Sequence, residues 1–215
     1  YQEVCEALGE GILSMLDLSK GTYYHVLNGD FSRKEEFRTV YYDGEATFAL
    51  CRLYGLTGER KWLDAAERAV QHFIAADYSQ YRDHWVSYSL NEMTKYLPER
   101  AEYYAFGLEN AQRNLEAIAS RETTGPTDLE LLMAAFELYV RMTENGGQAD
   151  GFDLAGLLQT ISARVERQQD GWFYPEYAMY MENPQRILNT FMVRNDGFRV
   201  RIDDVQHNIG GFYLY

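Results

Sequence analysis

Cysteine is scarce in this chain, and the two that occur, Cys5 and Cys51, are far apart. No CxxC or Cys/His spacing is present, so the sequence suggests no zinc finger and no metal ligand set. Cys51 sits in an apolar stretch and reads as a small core residue. Proline occurs only four times, which leaves long uninterrupted segments free to form helix. Basic residues are also in deficit. Lys and Arg number 20 against 33 Asp and Glu, a formal net charge of −13. A field of that sign repels phosphate backbones and acidic membrane surfaces, and no basic block offsets it, so nucleic acid and membranes are set aside as partners. No apolar run reaches the ~18 residues of a membrane span, and no basic-then-apolar leader opens the sequence. Gly-rich phosphate loops, nucleophile elbows and HExxH motifs are missing, which weakens nucleotide, serine-hydrolase and metalloprotease readings. Nothing calls for a cofactor.

Aromatic residues, by contrast, are abundant at 15%, with 18 tyrosines. The segment Glu59–Ala76 puts Trp62, Ala66, Ala69, Val70, Phe73 and Ile74 on one face and Arg60, Asp64, Glu67, Arg68 and Gln71 on the other. That is an amphipathic surface helix. The preceding segment, Glu45–Leu56, is apolar nearly all round and reads as a buried helix. The alternation recurs: residues 83–97 buried, 99–120 amphipathic, 128–142 buried, 153–168 amphipathic. Turn signals at Leu56-Thr57-Gly58, Leu97-Pro98-Glu99 and Asn145-Gly146-Gly147 separate the members. The expected fold class is therefore all-α, an (α/α) toroid or toroid-like arc of alternating inner and outer helices. An open solenoid of helix pairs is the rival arrangement. Residues 1–215 read as one helical-hairpin domain, excerpted from a longer protein with flanking domains. Two stretches depart from helix. Thr190–Ile202 alternates on both sides of Asn195-Asp196-Gly197 and predicts a small β-hairpin, and Gly21–Leu27 reads as extended. Asp203 and Asp204 then cap a last helix.

Each predicted inner helix starts with carboxylates: Asp43 and Glu45, then Asp83, then Asp128 and Glu130, then Asp203 and Asp204. Capping of free N–H groups explains such residues singly. In a closed ring the starts converge, and carboxylates gathered there supply the acid and base of sugar chemistry. His25, His84 and His207 fall near the same points, while His72 belongs to an outer helix; each is either a proton shuttle or a satisfied core histidine. Candidate roles are Glu45 or Asp83 as acid, Asp203 or Asp204 as base or its partner, and His84 or His207 as shuttle. Arg199 and Arg201 share a face of the predicted hairpin and either hold an anionic substituent or neutralise nearby acids. Tyr42, Trp85, Tyr88, Trp172 and Tyr174, with Tyr41, Phe173 and Tyr177, are candidates to stack on a sugar ring or simply to pack the core.

The segment GEATFALCRLYGLTGERKWLDAAERAVQHFI resembles the helix-pair units of the six-hairpin toroid superfamily, which includes glycosidases, uronyl hydrolases, lyases and N-acylglucosamine 2-epimerase-like enzymes. RQQDGWFYPEY, residues 167–177, is similar to the Gln-Asp-Gly-Trp turns between helices of such toroids, and LSKGTYYHVL, residues 18–27, is a looser version. The resemblance implies the fold and a sugar-processing activity, without assigning any family catalytic residue to a position here. This chain is shorter than a complete ring of that kind. Two functional expectations follow. One is a carbohydrate-active domain processing a sugar or uronate unit by carboxylate/His chemistry. The other is a non-catalytic helical domain binding a glycan, peptide or partner protein.

Overall fold

A computed structural model describes residues 1–34 and 37–215. The chain is mostly helical, 63%, with one small two-stranded antiparallel sheet. Helix α1 (Gln2–Met15) leads into β1 (Leu16–Asp17) and β2 (Thr22–Tyr23), paired Leu16 to Tyr23 and Asp17 to Thr22. The predicted extended piece at Gly21–Leu27 thus supplies one of the two strands. Helices α2 (Val40–Thr57), α3 (Arg60–Ala75), α4 (His84–Met93), α5 (Ala101–Gln112), α6 (Leu115–Ala119), α7 (Pro126–Glu144) and α8 (Leu154–Gln169) follow. Short turns α9 (Pro175–Ala178) and α10 (Pro184–Ile187) precede α11 (Ile202–Leu214). Among the described residues no helix is long and apolar enough to cross a membrane.

Packing puts α2 against α4, α4 against α7 and α7 against α11, forming a continuous row. Helix α3 packs on α2, α5 on both α4 and α7, and α8 on α7, and α1 lies beside α2. One apolar cluster joins α2, α3 and α4 around Trp62, Phe73 and Leu90; a second joins α6, α7 and α8 around Leu132, Leu157 and Ile161. Burial follows the hydrophobic patterns for α4, α7 and α3, except that Glu67, expected on the polar face of α3, is buried and accepts hydrogen bonds from Arg100 and Tyr103. In α7 every residue from Asp128 to Ala135 is buried. Helix α2 departs from its pattern: neighbours cover α2 on several sides, yet Glu45, Arg52 and Leu56 are left exposed along one stripe.

Two further differences have local causes. The amphipathic segment 99–120 is broken into α5 and α6 at Asn114, whose side-chain amide donates to the Asn110 carbonyl at 2.7 Å and to the Ser79 carbonyl at 3.0 Å. A side chain that takes the i−4 carbonyl competes with the helix ladder. The hairpin expected at 190–202 is reduced to a single antiparallel bridge between Val193 and Arg199. Its first arm is already engaged elsewhere. Phe173 N–H donates to the Thr190 carbonyl at 2.9 Å, and Met192 N–H to the Gly171 carbonyl at 2.7 Å.

Buried Arg164 on α8 fixes the approach to α7. Its guanidinium donates to the carbonyls of Arg121 at 2.6 Å and Thr123 at 2.5 Å, and to that of Thr124. The start of α7 is thereby held in place.

Candidate functional site

The carboxylates at the helix starts divide into satisfied and unsatisfied groups. Asp43, in the first turn of α2, is fully occupied. Its Oδ2 accepts from Tyr78 Oη at 2.7 Å and from Arg38, and its Oδ1 meets His25 Nε2 at 2.8 Å. The Thr39 N–H donates to His25 Nδ1 at 2.9 Å, which leaves the ring proton on Nε2, directed at Asp43. Asp128 is bound by Arg121 at 3.0 Å and Arg82 at 3.5 Å. Asp203 and Asp204, expected as base or partner, are held by Arg201 at 2.6 and 2.9 Å, and Arg199 pairs with Asp196 at 2.8 Å. Of the two duties open to these arginines, neutralisation of nearby acids is the one the geometry displays.

Asp83, His84, Glu130 and His207 are arranged differently. Asp83 caps α4: its Oδ1 accepts the Trp85 N–H at 2.9 Å. Its Oδ2 is buried without a partner among the described residues. The approach is permitted by Gly44 on α2, where a Cβ would stand 2.6 Å from Oδ2. Burial raises the Asp83 carboxyl to about 8, the Trp85 N–H opposing and the charges of Asp43 and Glu45 adding. A group with that value carries its proton at neutral pH.

Glu130 is completely buried one turn into α7. Its Oε2 lies 2.8 Å from His207 Nδ1 and 3.6 Å from His84 Nε2, the second too long for a hydrogen bond. Glu130 Oε1 and His84 Nε2 have no hydrogen-bond partner among the described residues. Gly210 on α11 leaves the space that Oε1 occupies, since a Cβ there would collide with it. Burial raises the Glu130 carboxyl against the opposing hydrogen bond from His207. Burial alone would lower His207, but the hydrogen bond and charge of Glu130, with Asp203 and Asp204 behind it, hold it above its usual value. His84 is pushed down to about 3 by burial and then by His207, so its imidazole is neutral.

Aromatic side chains enclose this group. The rings of His84 and His207 meet edge to face at 5.0 Å, and Trp85 lies 4.7 Å from His84 and 5.9 Å from His207. Tyr88 stacks on Phe48 at 5.3 Å, and burial together with the Glu130 charge holds its phenol well above its ordinary value. Tyr42 is 41% exposed and sits against His25 rather than His84. Glu45 is exposed on α2. Trp172 packs edge-on against Phe191, which stacks on Phe212 of α11, and Tyr174 pairs with Tyr177 at the surface. The structure therefore unites Asp83, His84, His207, Trp85 and Tyr88, and leaves Glu45, Tyr42, Trp172, Tyr174, Arg199 and Arg201 outside the group.

Glu130 is the hub that sequence reasoning passed over as one of several helix-start acids. The available signal was a carboxylate inside an otherwise wholly apolar run, LELLMAA, residues 129–135. A separate cleft of about 520 Å³ lies between α5 and the α7–α8 connection, lined by Tyr104, Leu108, Met142 and Phe152. Met142 is twelve residues beyond Glu130, roughly 18 Å along α7, so that cleft is remote from the histidines. Comparison with known protein families, curated proteins and solved structures finds no match for the chain.

Proposed function

We propose that the row α2–α4–α7–α11 is the inner wall of an arc of the (α/α)-toroid kind, and that its helix starts form a carbohydrate-processing site. The observation that carries this reading is the buried Glu130, joined to His207 and facing His84 with unsatisfied polar atoms on both. Buried polar groups are almost always paired, and exceptions concentrate where chemistry is done. His207 and Asp83 are both shifted upward, His207 by the Glu130 carboxylate and Asp83 to about 8 by burial, and groups so perturbed suit proton transfer. A His–Glu–His group with a protonated aspartic acid is equipment for proton abstraction and return. Within the sugar reading it favours elimination or epimerisation of a uronate over hydrolysis by a matched carboxylate pair. Trp85 and Tyr88 offer the apolar faces that sugar rings stack on.

The test is a screen of oligosaccharides and uronates by thermal shift, since a specific ligand stabilises the fold by mass action. Turnover of each stabilising ligand is then measured in Asp83→Asn, Glu130→Gln and His207→Gln. Loss of turnover in variants that remain folded is expected. Full activity in all three overturns the site.

One observation favours the non-catalytic alternative: Asp43, Asp128 and Asp204 are held in ion pairs, as capping and structural acids would be. That reading predicts ligand binding through exposed Tyr41, Tyr42, Tyr174 and Tyr177 without turnover of any sugar.

A further inference from the structure

His84 Nε2, a Glu130 carboxylate oxygen and His207 Nδ1 all lie within 4.8 Å of one another. Around a tetrahedral zinc ion with bonds of about 2.0–2.1 Å, neighbouring ligand atoms are about 3.4 Å apart. The two separations to Glu130 Oε2, 2.8 Å from His207 and 3.6 Å from His84, bracket that spacing. Small side-chain movements would seat an ion among the three.

A second, independent observation points the same way. His84 is 7% exposed and Glu130 0%, yet His84 Nε2 and Glu130 Oε1 have no partner among the described residues. Both atoms belong to the side chains that would bind. The surroundings fit a metal centre as well. Asp83 Oδ1 lies 3.8 Å from His84 Nδ1, the ring nitrogen away from Glu130. Trp85 lies beside both imidazoles, tilted against His84 and edge-on to His207.

We propose that His84, Glu130 and His207 bind a single divalent transition-metal ion, with zinc the best fit. Two imidazoles and one carboxylate match zinc or ferrous iron better than calcium or magnesium, which prefer oxygen ligands. Three protein ligands leave a fourth position for water or a substrate oxygen, the arrangement of a reactive rather than a structural zinc. The inference does not depend on the sugar reading, because metal binding needs no substrate. It alters one detail of that reading: with the ion present His207 is a ligand rather than a free proton shuttle.

The 215-residue chain, stripped with a chelator, is titrated with zinc chloride by calorimetry and with cobalt chloride by visible absorption. One ion per chain is expected, with cobalt bands characteristic of nitrogen and oxygen ligands. Glu130→Gln and His207→Gln should weaken zinc by at least about 10-fold, while His72→Gln on α3 binds as wild type. Circular dichroism verifies that the variants fold, and His207, only partly buried, is the variant least dependent on the core. No saturable zinc binding by the stripped wild-type chain, or unchanged binding by both ligand variants, overturns the proposal. A chain that binds zinc yet turns over no sugar counts against the sugar reading alone.

Discussion

Asp43 and Glu130 are both acids near the start of a row helix, both buried, and both in contact with a histidine. Around Asp43 both oxygens are hydrogen-bonded, by His25, Arg38 and Tyr78. Around Glu130 the Tyr88 phenol approaches the carboxyl, yet one oxygen lacks a well-formed hydrogen bond, one histidine stands just out of bonding range, and no arginine or lysine is paired with it among the described residues. The difference separates a carboxylate tied into the fold by ion pairs from one left incompletely bonded. Burial is equal in the two places, so burial alone does not distinguish the two acids; the completeness of their hydrogen bonding does.

The comparison is broken most directly at Asp43. Asp43→Ala leaves Arg38 and His25 without their buried partner and should destabilise the chain by about 3–5 kcal/mol in urea denaturation. A loss under about 1 kcal/mol would place Asp43 with Glu130 instead. Glu130→Gln should do the reverse. It removes a desolvated charge along with one hydrogen bond, so the metal-free chain should keep its stability within about 1 kcal/mol. Turnover of a sugar found by the screen should fall by roughly 10²-fold or more.

Asp83→Asn sharpens the contrast through pH. Asn retains the helix cap but has no charge to bury. Asp83 stands at about 8 in the fold and near the ordinary ~3.9 when unfolded, so unfolding between these values releases a proton. Stability from this group is full below about pH 4 and is lost as pH rises through about 8. Melting temperatures of the metal-free wild type and Asp83→Asn should therefore diverge from pH 5 to pH 8, with the variant the more stable. Three pH units correspond to about 4 kcal/mol, so at roughly 2–4 °C per kcal/mol the gap widens by about 8–16 °C. Identical pH profiles would mean that Asp83 is solvated. The smallest effect belongs to Arg201→Ala: Arg201 and Asp203 are half-exposed, Arg199 stays 3.9 Å from the more buried Asp204, and the change in stability should stay within about 1 kcal/mol.

Much of the architecture was legible in residue order. The faces of α3 and α8, the burial of α4 and α7 and the turns between them follow from periodicity and glycine or proline punctuation. That Asp83, His84, His207, Trp85 and Tyr88 gather in one place was legible because they lie near predicted helix starts. Glu130 was not singled out, since Asp128 and Glu130 look alike in sequence and only Asp128 finds Arg82 and Arg121. Arg199 and Arg201 were misleading for a related reason. A hairpin would project them from one face, but the first arm pairs with Gly171 and Phe173, and the arginines turn to Asp196, Asp203 and Asp204.

Composition and periodicity by themselves determined the helical class, the acidic surface and the placement of carboxylates at helix starts, because hydrophobic spacing and capping are local properties of the chain. Only tertiary structure decided which carboxylates are satisfied. Residues 84, 130 and 207 share no local spacing, and they meet because α4, α7 and α11 pack side by side, with Gly210 clearing the space for Glu130.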